Sequence, residues 1–157
     1  MKAATIKELK QELSNCSSVE LMELCLRLSR FKKENKELLT YLLYEASNEA
    51  AYIENVKREI DTQFEQINTS SYYFIKKSAR KILRETKKYI RYSKKKETEV
   101  ELLIHFCTKL IKMKPSIKNN TVLQNLCNRQ IEVIRKSIST LHEDLQYDYE
   151  IELNEIL

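Results

Sequence analysis

The chain contains no glycine and a single proline, Pro115. Without glycine, the tight hairpins, bulges and left-handed turns of sheet proteins lose the residue that usually supplies them. Leu, Lys, Glu, Ile and Arg are abundant instead, so the fold class expected is all-α. The same absence excludes phosphate loops built on glycine, including the P-loop and the dinucleotide fingerprint. A chain of 157 residues buries about 68–70% of the surface its unfolded form exposes, and one unaided domain, 1–157, is the expectation.

Helical spacing runs nearly end to end. A short first helix, Thr5 to Leu13, stops in the polar cluster Ser14-Asn15-Cys16-Ser17, and Ser17 with Glu20 then forms a capping-box pattern opening a second helix through Arg30. Leu21, Leu24, Cys25 and Leu28 share the inward face of that helix. Met22 and Leu26 lie off it, which predicts a helix covered on two sides. A third helix from Lys36 to Ala46 turns Leu38, Leu39, Leu42 and Leu43 inward, and a fourth, Asn48 to Ile67, carries Ile53, Val56, Ile60, Phe64 and Ile67 at steps of three and four. The fifth runs from Tyr72 to Tyr92 and the sixth from Thr98 to Met113, before the break at Lys114-Pro115-Ser116. From Thr121 onward a stripe from Cys127 to Ile156 fits either one long helix or two joined at Ser137 to Thr140, where helix propensity weakens. The expected count is six or seven helices. Leu21, Leu24, Leu28, Leu42, Ile60, Phe64, Ile82, Leu103, Ile134 and Leu141 are expected in the core.

Charge is distributed unevenly. Between Lys76 and Lys96 stand eleven cations and one acid, Glu85, about +10 in a chain whose net charge is +5. On the fifth helix these cations lie opposite the apolar stripe, and Lys77, Arg80, Lys81, Arg84, Lys88 and Arg91 form the candidate anion-binding ridge. Tyr72, Tyr73, Tyr89 and Tyr92 flank it, able to stack on bases or to finish the core. The C-terminal segment from Glu143 to Glu155 carries six acids and no cation. It offers a competing role for the ridge, pairing within the chain or across a homodimer built through the acidic C-terminal helix. Nucleic acid is the first partner class and an acidic protein the second.

Four cysteines, Cys16, Cys25, Cys107 and Cys127, lack C-x-x-C spacing and read as reduced thiols, three of them at apolar helical positions. No stretch approaches the ~20 apolar residues of a membrane span, and the N-terminus lacks a signal core, so a cytoplasmic location is the expectation.

Leu28-Ser29-Arg30-Phe31-Lys32-Lys33 is echoed by Tyr89-Ile90-Arg91-Tyr92-Ser93-Lys94-Lys95, each followed by a Glu-Leu-Leu helix. At element level, about 18–67 and 72–157 each read as a helix, a Lys-rich turn, a second helix and a long third. That resembles two stacked three-helix units of an armadillo-type solenoid; a compact helical bundle is the other architecture. Glu20 to Glu45 (ELMELCLRLSRFKKENKELLTYLLYE) and Thr140 to Glu150 (TLHEDLQYDYE) resemble a family of small all-helical bacterial proteins with no known activity. The resemblance implies a bacterial cytoplasmic helical protein and transfers no catalytic residue, cofactor or substrate.

The enzymatic candidate is acidic. Glu20 and Glu23, with Glu45 and Asn48 or Glu49, resemble the E-x-x-E…E-x-x-D magnesium site of MazG-like all-α nucleotide pyrophosphohydrolases, in which paired carboxylates hold the ion. Asn48 departs from the final Asp, and Glu49 is one residue out of step. His105 sits among apolar residues, His142 precedes Glu143-Asp144, and neither has a local signature pairing it with a nucleophilic cysteine. The functional expectation is therefore a non-enzymatic interaction or scaffold protein with no catalytic residue, metal or cofactor assigned; a magnesium-dependent nucleotide pyrophosphohydrolase is the alternative.

Overall fold

The computed structural model describes residues 1–157 and contains helices without any strand. Eight α-helices follow one another: α1 Ile6–Ser14, α2 Ser18–Phe31, α3 Lys33–Thr40, α4 Glu49–Glu65, α5 Tyr72–Ser93, α6 Lys96–Ile111, α7 Thr121–Ile138 and α8 Glu143–Ile156. A π-helical turn, Tyr41–Glu45, follows α3, and a 3-10 turn, Ile117–Asn119, precedes α7. The count corrects the expected six or seven, because the C-terminal stripe is two helices. At the break His142 turns extended (φ −62°, ψ 148°) and its Nδ1 accepts from the Asp144 backbone N–H at 3.4 Å. Gln146 Nε2 donates to the Leu141 carbonyl at 2.7 Å. Side chains thus serve backbone groups that a continuous helix would have paired internally.

The chain divides into two compact units, Met1–Tyr44 and Glu45–Leu157. In the first, α1 and α2 each begin with a full capping box. Glu8 N–H donates to Thr5 Oγ1 (3.3 Å) while Thr5 N–H donates back to the Glu8 carboxylate (2.7 Å), and Ser17 with Glu20 does the same at 3.2 and 2.7 Å. These ends are specified locally, each box satisfying two otherwise orphaned donors. Packing is another matter. α2 and α3 pack against each other, yet no residue of α1, α2 or α3 is fully buried. Leu24, Leu28 and Leu42, expected in the core, are 42%, 61% and 57% exposed, and Leu21 is half-buried. The stripes have helical spacing, but 44 residues supply too little facing surface to cover them. At Tyr41–Glu45 the wider π turn inserts one residue into the helical phase, which moves Leu42 and Leu43 off the line set by Leu38 and Leu39.

The second unit holds the core. α6 is apolar on nearly every side, with Val100, Leu102, Leu103, Ile104, Phe106, Cys107 and Leu110 all at 2% exposure or less. A helix of that kind must be surrounded, and α4, α5, α7 and α8 all pack on it. Each neighbour contributes one stripe: Ile53, Val56 and Ile60 from α4; Ile75, Ala79, Ile82 and Leu83 from α5; Leu123, Cys127, Ile134 and Ile138 from α7; Leu153 from α8. Burying each large side chain stabilises the fold by about 1.5–3 kcal/mol before chain entropy is charged against it. Ile60, Ile82, Leu103 and Ile134 are buried as expected, and Phe64 and Leu141 are half-buried, Phe64 with its ring centroid 5.6 Å from that of Phe106.

Candidate anion-binding face

α5 is placed by its apolar stripe. Ile75, Ala79, Ile82, Leu83, Thr86 and Ile90 are buried at three- and four-residue steps, which turns the intervening cations outward. At the N-terminal end Tyr72 Oη donates to the Ser116 carbonyl (2.7 Å), and midway Gln63 Nε2 donates to Glu85 (2.7 Å), occupying the one acid on the helix. At the C-terminal end Glu49 accepts from Ser93 Oγ and from Thr98 Oγ1 (2.6 Å), fixing the corner between α5 and α6. Lys94 makes that corner in the left-handed region (φ 59°), a conformation glycine would take without strain and this chain gives to lysine.

The eleven cations separate into groups. Lys95 pairs with Glu49 at 3.3 Å, and Lys96 pairs with Glu99 at 2.6 Å. Burial works against ionisation of Glu99, but Lys96 and the Ser137 hydroxyl at 2.7 Å outweigh it and hold the carboxyl below its ordinary range. Lys77, Arg80, Lys81, Arg84 and Arg91 are exposed and enter no ion pair or hydrogen bond within the chain. Lys88 is half-buried with its ammonium 4.9 Å from the Tyr89 ring centroid. From residue 77 to residue 91 the ridge is about 21 Å long at 1.5 Å per residue, and no carboxylate is paired with its five exposed cations.

The acidic C-terminal helix does not cover this ridge. α8 packs on α6 and α7, and Glu143, Asp144, Asp148, Glu150, Glu152 and Glu155 are all exposed. Tyr149 Oη instead donates to Glu101 at 3.0 Å, and Lys57 Nζ reaches the other oxygen of that carboxylate at 2.9 Å. A single α6 acid thus holds α4 and α8.

One contributor was missed at the level of sequence. Arg129, exposed on α7, lines with Arg80, Val122, Asn125 and Leu126 a shallow concavity of about 200 Å³ beside the ridge. Only a tertiary contact could reveal it, since 49 positions separate the two arginines. Of the four flanking tyrosines, Tyr92 is buried and Tyr72 and Tyr89 are half-buried, whereas Tyr73 is 65% exposed and borders the same surface as Lys76, Lys77 and Arg80. Its ring meets Phe74 edge-on at 5.3 Å.

No group of three or more Asp, Glu, His or Cys side chains that could hold a metal ion is present. Glu20 accepts in its capping box, and Glu49 is held by Ser93, Thr98 and Lys95. His105 Nε2 lies 2.6 Å from Asp61, which also accepts from Lys109 at 2.9 Å, a tie between α4 and α6. Cys107 and Cys127 are buried free thiols, and the expectation that Cys25 faces inward is corrected: it is exposed. No helix is long and apolar enough to cross a membrane.

What the geometry defines is an all-helical protein with one exposed cationic face. No family model, curated protein or solved structure matches the chain.

Proposed function

We propose that this chain is a non-enzymatic interaction or scaffold protein whose cationic ridge, Lys77, Arg80, Lys81, Arg84, Lys88 and Arg91, binds an anionic partner, nucleic acid first. The observation that supports this reading is the unpaired exposure of five of these cations on α5, whereas Lys95 and Lys96, at the start of α6, have carboxylate partners. Like charges on one helix face repel and destabilise it by a few tenths of a kcal/mol per pair, so phosphates that neutralise them relieve repulsion as well as making contacts. Arg129 widens the surface beyond one helix, and Tyr73 supplies an exposed ring for stacking at its edge. Recognition is by charge, with no base-edge reading implied. The scaffold part of the proposal reads 18–67, with α2, α3 and α4, and 72–157, with α5, α6 and the α7–α8 pair, as two repeated helical units in a bacterial cytoplasmic protein; the single-residue Lys32 link of α2 to α3 and the Lys94-Lys95 link of α5 to α6 support it.

Fluorescence anisotropy with a 20-base-pair duplex is the test. Five phosphate contacts would weaken binding about 500-fold between 50 and 200 mM salt. The variant Lys77→Glu, Arg80→Glu, Arg84→Glu should lose affinity at least about 10-fold for every sequence and show a flatter salt slope, with helicity unchanged because the positions are exposed. Equal binding by both proteins overturns the ridge as the site. Binding to polyglutamate without binding to duplex moves the partner to acidic protein.

A further inference from the structure

We infer that the outward face of α2 is a self-complementary docking surface through which two copies of this chain associate antiparallel. The face consists of Val19, Met22 and Leu26, spaced i, i+3, i+7 and 59%, 57% and 42% exposed. Along one flank run Glu20, Glu23, Arg27 and Arg30 at i, i+3, i+7 and i+10, acids in the N-terminal half and bases in the C-terminal half. Glu23, Arg27 and Arg30 are exposed and enter no ion pair within the chain, although Glu23 and Arg27 are four residues apart.

The order of these charges selects the occupant. A helix that is acidic at one end and basic at the other is complementary to its own reverse. Laid antiparallel about a two-fold axis near Leu24 and Cys25, Glu23 of each copy comes opposite Arg27 of the other, and Glu20 opposite Arg30. In the same arrangement Met22 and Leu26 interdigitate with Leu26 and Met22 of the second copy, while the aliphatic stem of Arg30 covers Val19. Every contact occurs twice, as a closed isologous interface requires. Parallel pairing would instead set acid against acid and base against base.

Size and net charge point the same way. Residues 1–44 expose twelve large apolar side chains besides Met1. A 44-residue unit lies near the size at which small domains rely on oligomerisation for stability. Its eight cations and six acids, counted over 1–44, leave little net charge to oppose association of like with like.

Sedimentation of the full chain at about 100 μM, well above a micromolar dissociation constant, tests the inference. The wild type should sediment at twice 18.7 kDa, and the Met22→Glu, Leu26→Glu variant at 18.7 kDa. Glu23→Arg and Arg27→Glu should each weaken association at least about 10-fold, and combining them should restore it, because the exchange preserves every cross-pair. This cycle keeps the proposal falsifiable if the Met22, Leu26 variant loses helix. A monomeric wild type at that concentration overturns the proposal, as does a Met22→Glu, Leu26→Glu protein that remains helical and dimeric. Failure of the double charge exchange to restore association overturns the antiparallel arrangement.

Discussion

The two units differ in what their apolar residues do, although both show the same helical periodicity. Residues 1–44 bury one large apolar side chain, Tyr41, and contain thirteen of the nineteen exposed ones; residues 45–157 bury twenty-two and expose six. Local encoding is at least as strong in the first unit, where two capping boxes close helix ends, whereas α5 and α6 start with no side-chain cap at all. Helix formation and helix burial are therefore separate outcomes. Caps and spacing determine the first, and the second depends on whether another element is present to face the stripe.

The largest expected contrast is in thiol reactivity. Cys25 on α2 is exposed and should react with an aromatic disulfide reagent freely in dilute protein. Cys107 and Cys127 lie between α6 and α7, and reaching them requires opening a core whose stability is about 5–15 kcal/mol, so labelling should be at least about 10³-fold slower. Interaction with the Cys127 thiol, together with burial, also pushes the Cys107 thiol up and depletes its thiolate. Similar rates at all sites would break the comparison by showing that the second unit has no closed core.

Core truncation comes next. Phe106→Ala or Leu103→Ala should destabilise by about 3–5 kcal/mol in urea titrations followed by circular dichroism, since both side chains are enclosed by neighbours of α6. Leu28→Ala, removing the same kind of residue from an equally regular stripe, should change stability by no more than about 0.5 kcal/mol in the monomer. A large loss at Leu28 would mean that α2 is covered.

These contrasts explain what the sequence made legible. Ile53, Val56, Ile60, Ile82 and Ile134 stand at positions whose period and burial coincide, so the helices and core of the second unit could be read directly. Leu24, Leu28 and Leu42 have the same period without the burial, because periodicity identifies the face that would pack and is silent about what packs on it. The Ser17–Glu20 box was legible because both partners lie within one turn. At the candidate site, Lys77, Arg80, Lys81, Arg84 and Arg91 could be placed opposite the apolar stripe from spacing alone. That Lys95 is neutralised by Glu49, and that Arg129 joins Arg80, depends on contacts between residues more than forty positions apart.

A smaller effect sharpens the second unit's side of the comparison. Glu101 accepts from Lys57 and Tyr149, tying α4 and α8 to α6 through one carboxylate. Burial alone would lower the Lys57 pKa, yet Glu101 and Glu54 outweigh it and the group is raised, so the ammonium is stabilised where it stands. Glu101→Gln should cost about 1–2 kcal/mol, with the urea midpoint shifting at constant slope. A reduced slope would instead indicate that α8 detaches before the rest.

The smallest effect depends on pH. Asp61 on α4 accepts from His105 and Lys109 on α6, and although burial favours its neutral form, the Lys109 and His105 hydrogen bonds prevail and hold the carboxyl below its ordinary range. A carboxyl depressed in the folded state contributes stability that is fully present above its unfolded pKa, about 3.9, and is lost as pH falls through the lower folded value. The three side chains are 22–37% exposed, so solvent screening limits the contribution to about 0.5–1 kcal/mol. Asp61→Asn should therefore be less stable than wild type by that amount near pH 6–7, and the difference should shrink towards zero as pH falls through the lowered folded pKa and the wild-type carboxyl becomes protonated too. The same experiment on Glu8 probes a local cap in the first unit, where Thr5 lowers the carboxyl without any interhelical partner. If the Asp61→Asn difference stayed constant to pH 2, the tie between α4 and α6 would rest on the shape of the side chain, and ionic pairing would no longer distinguish the second unit from the first.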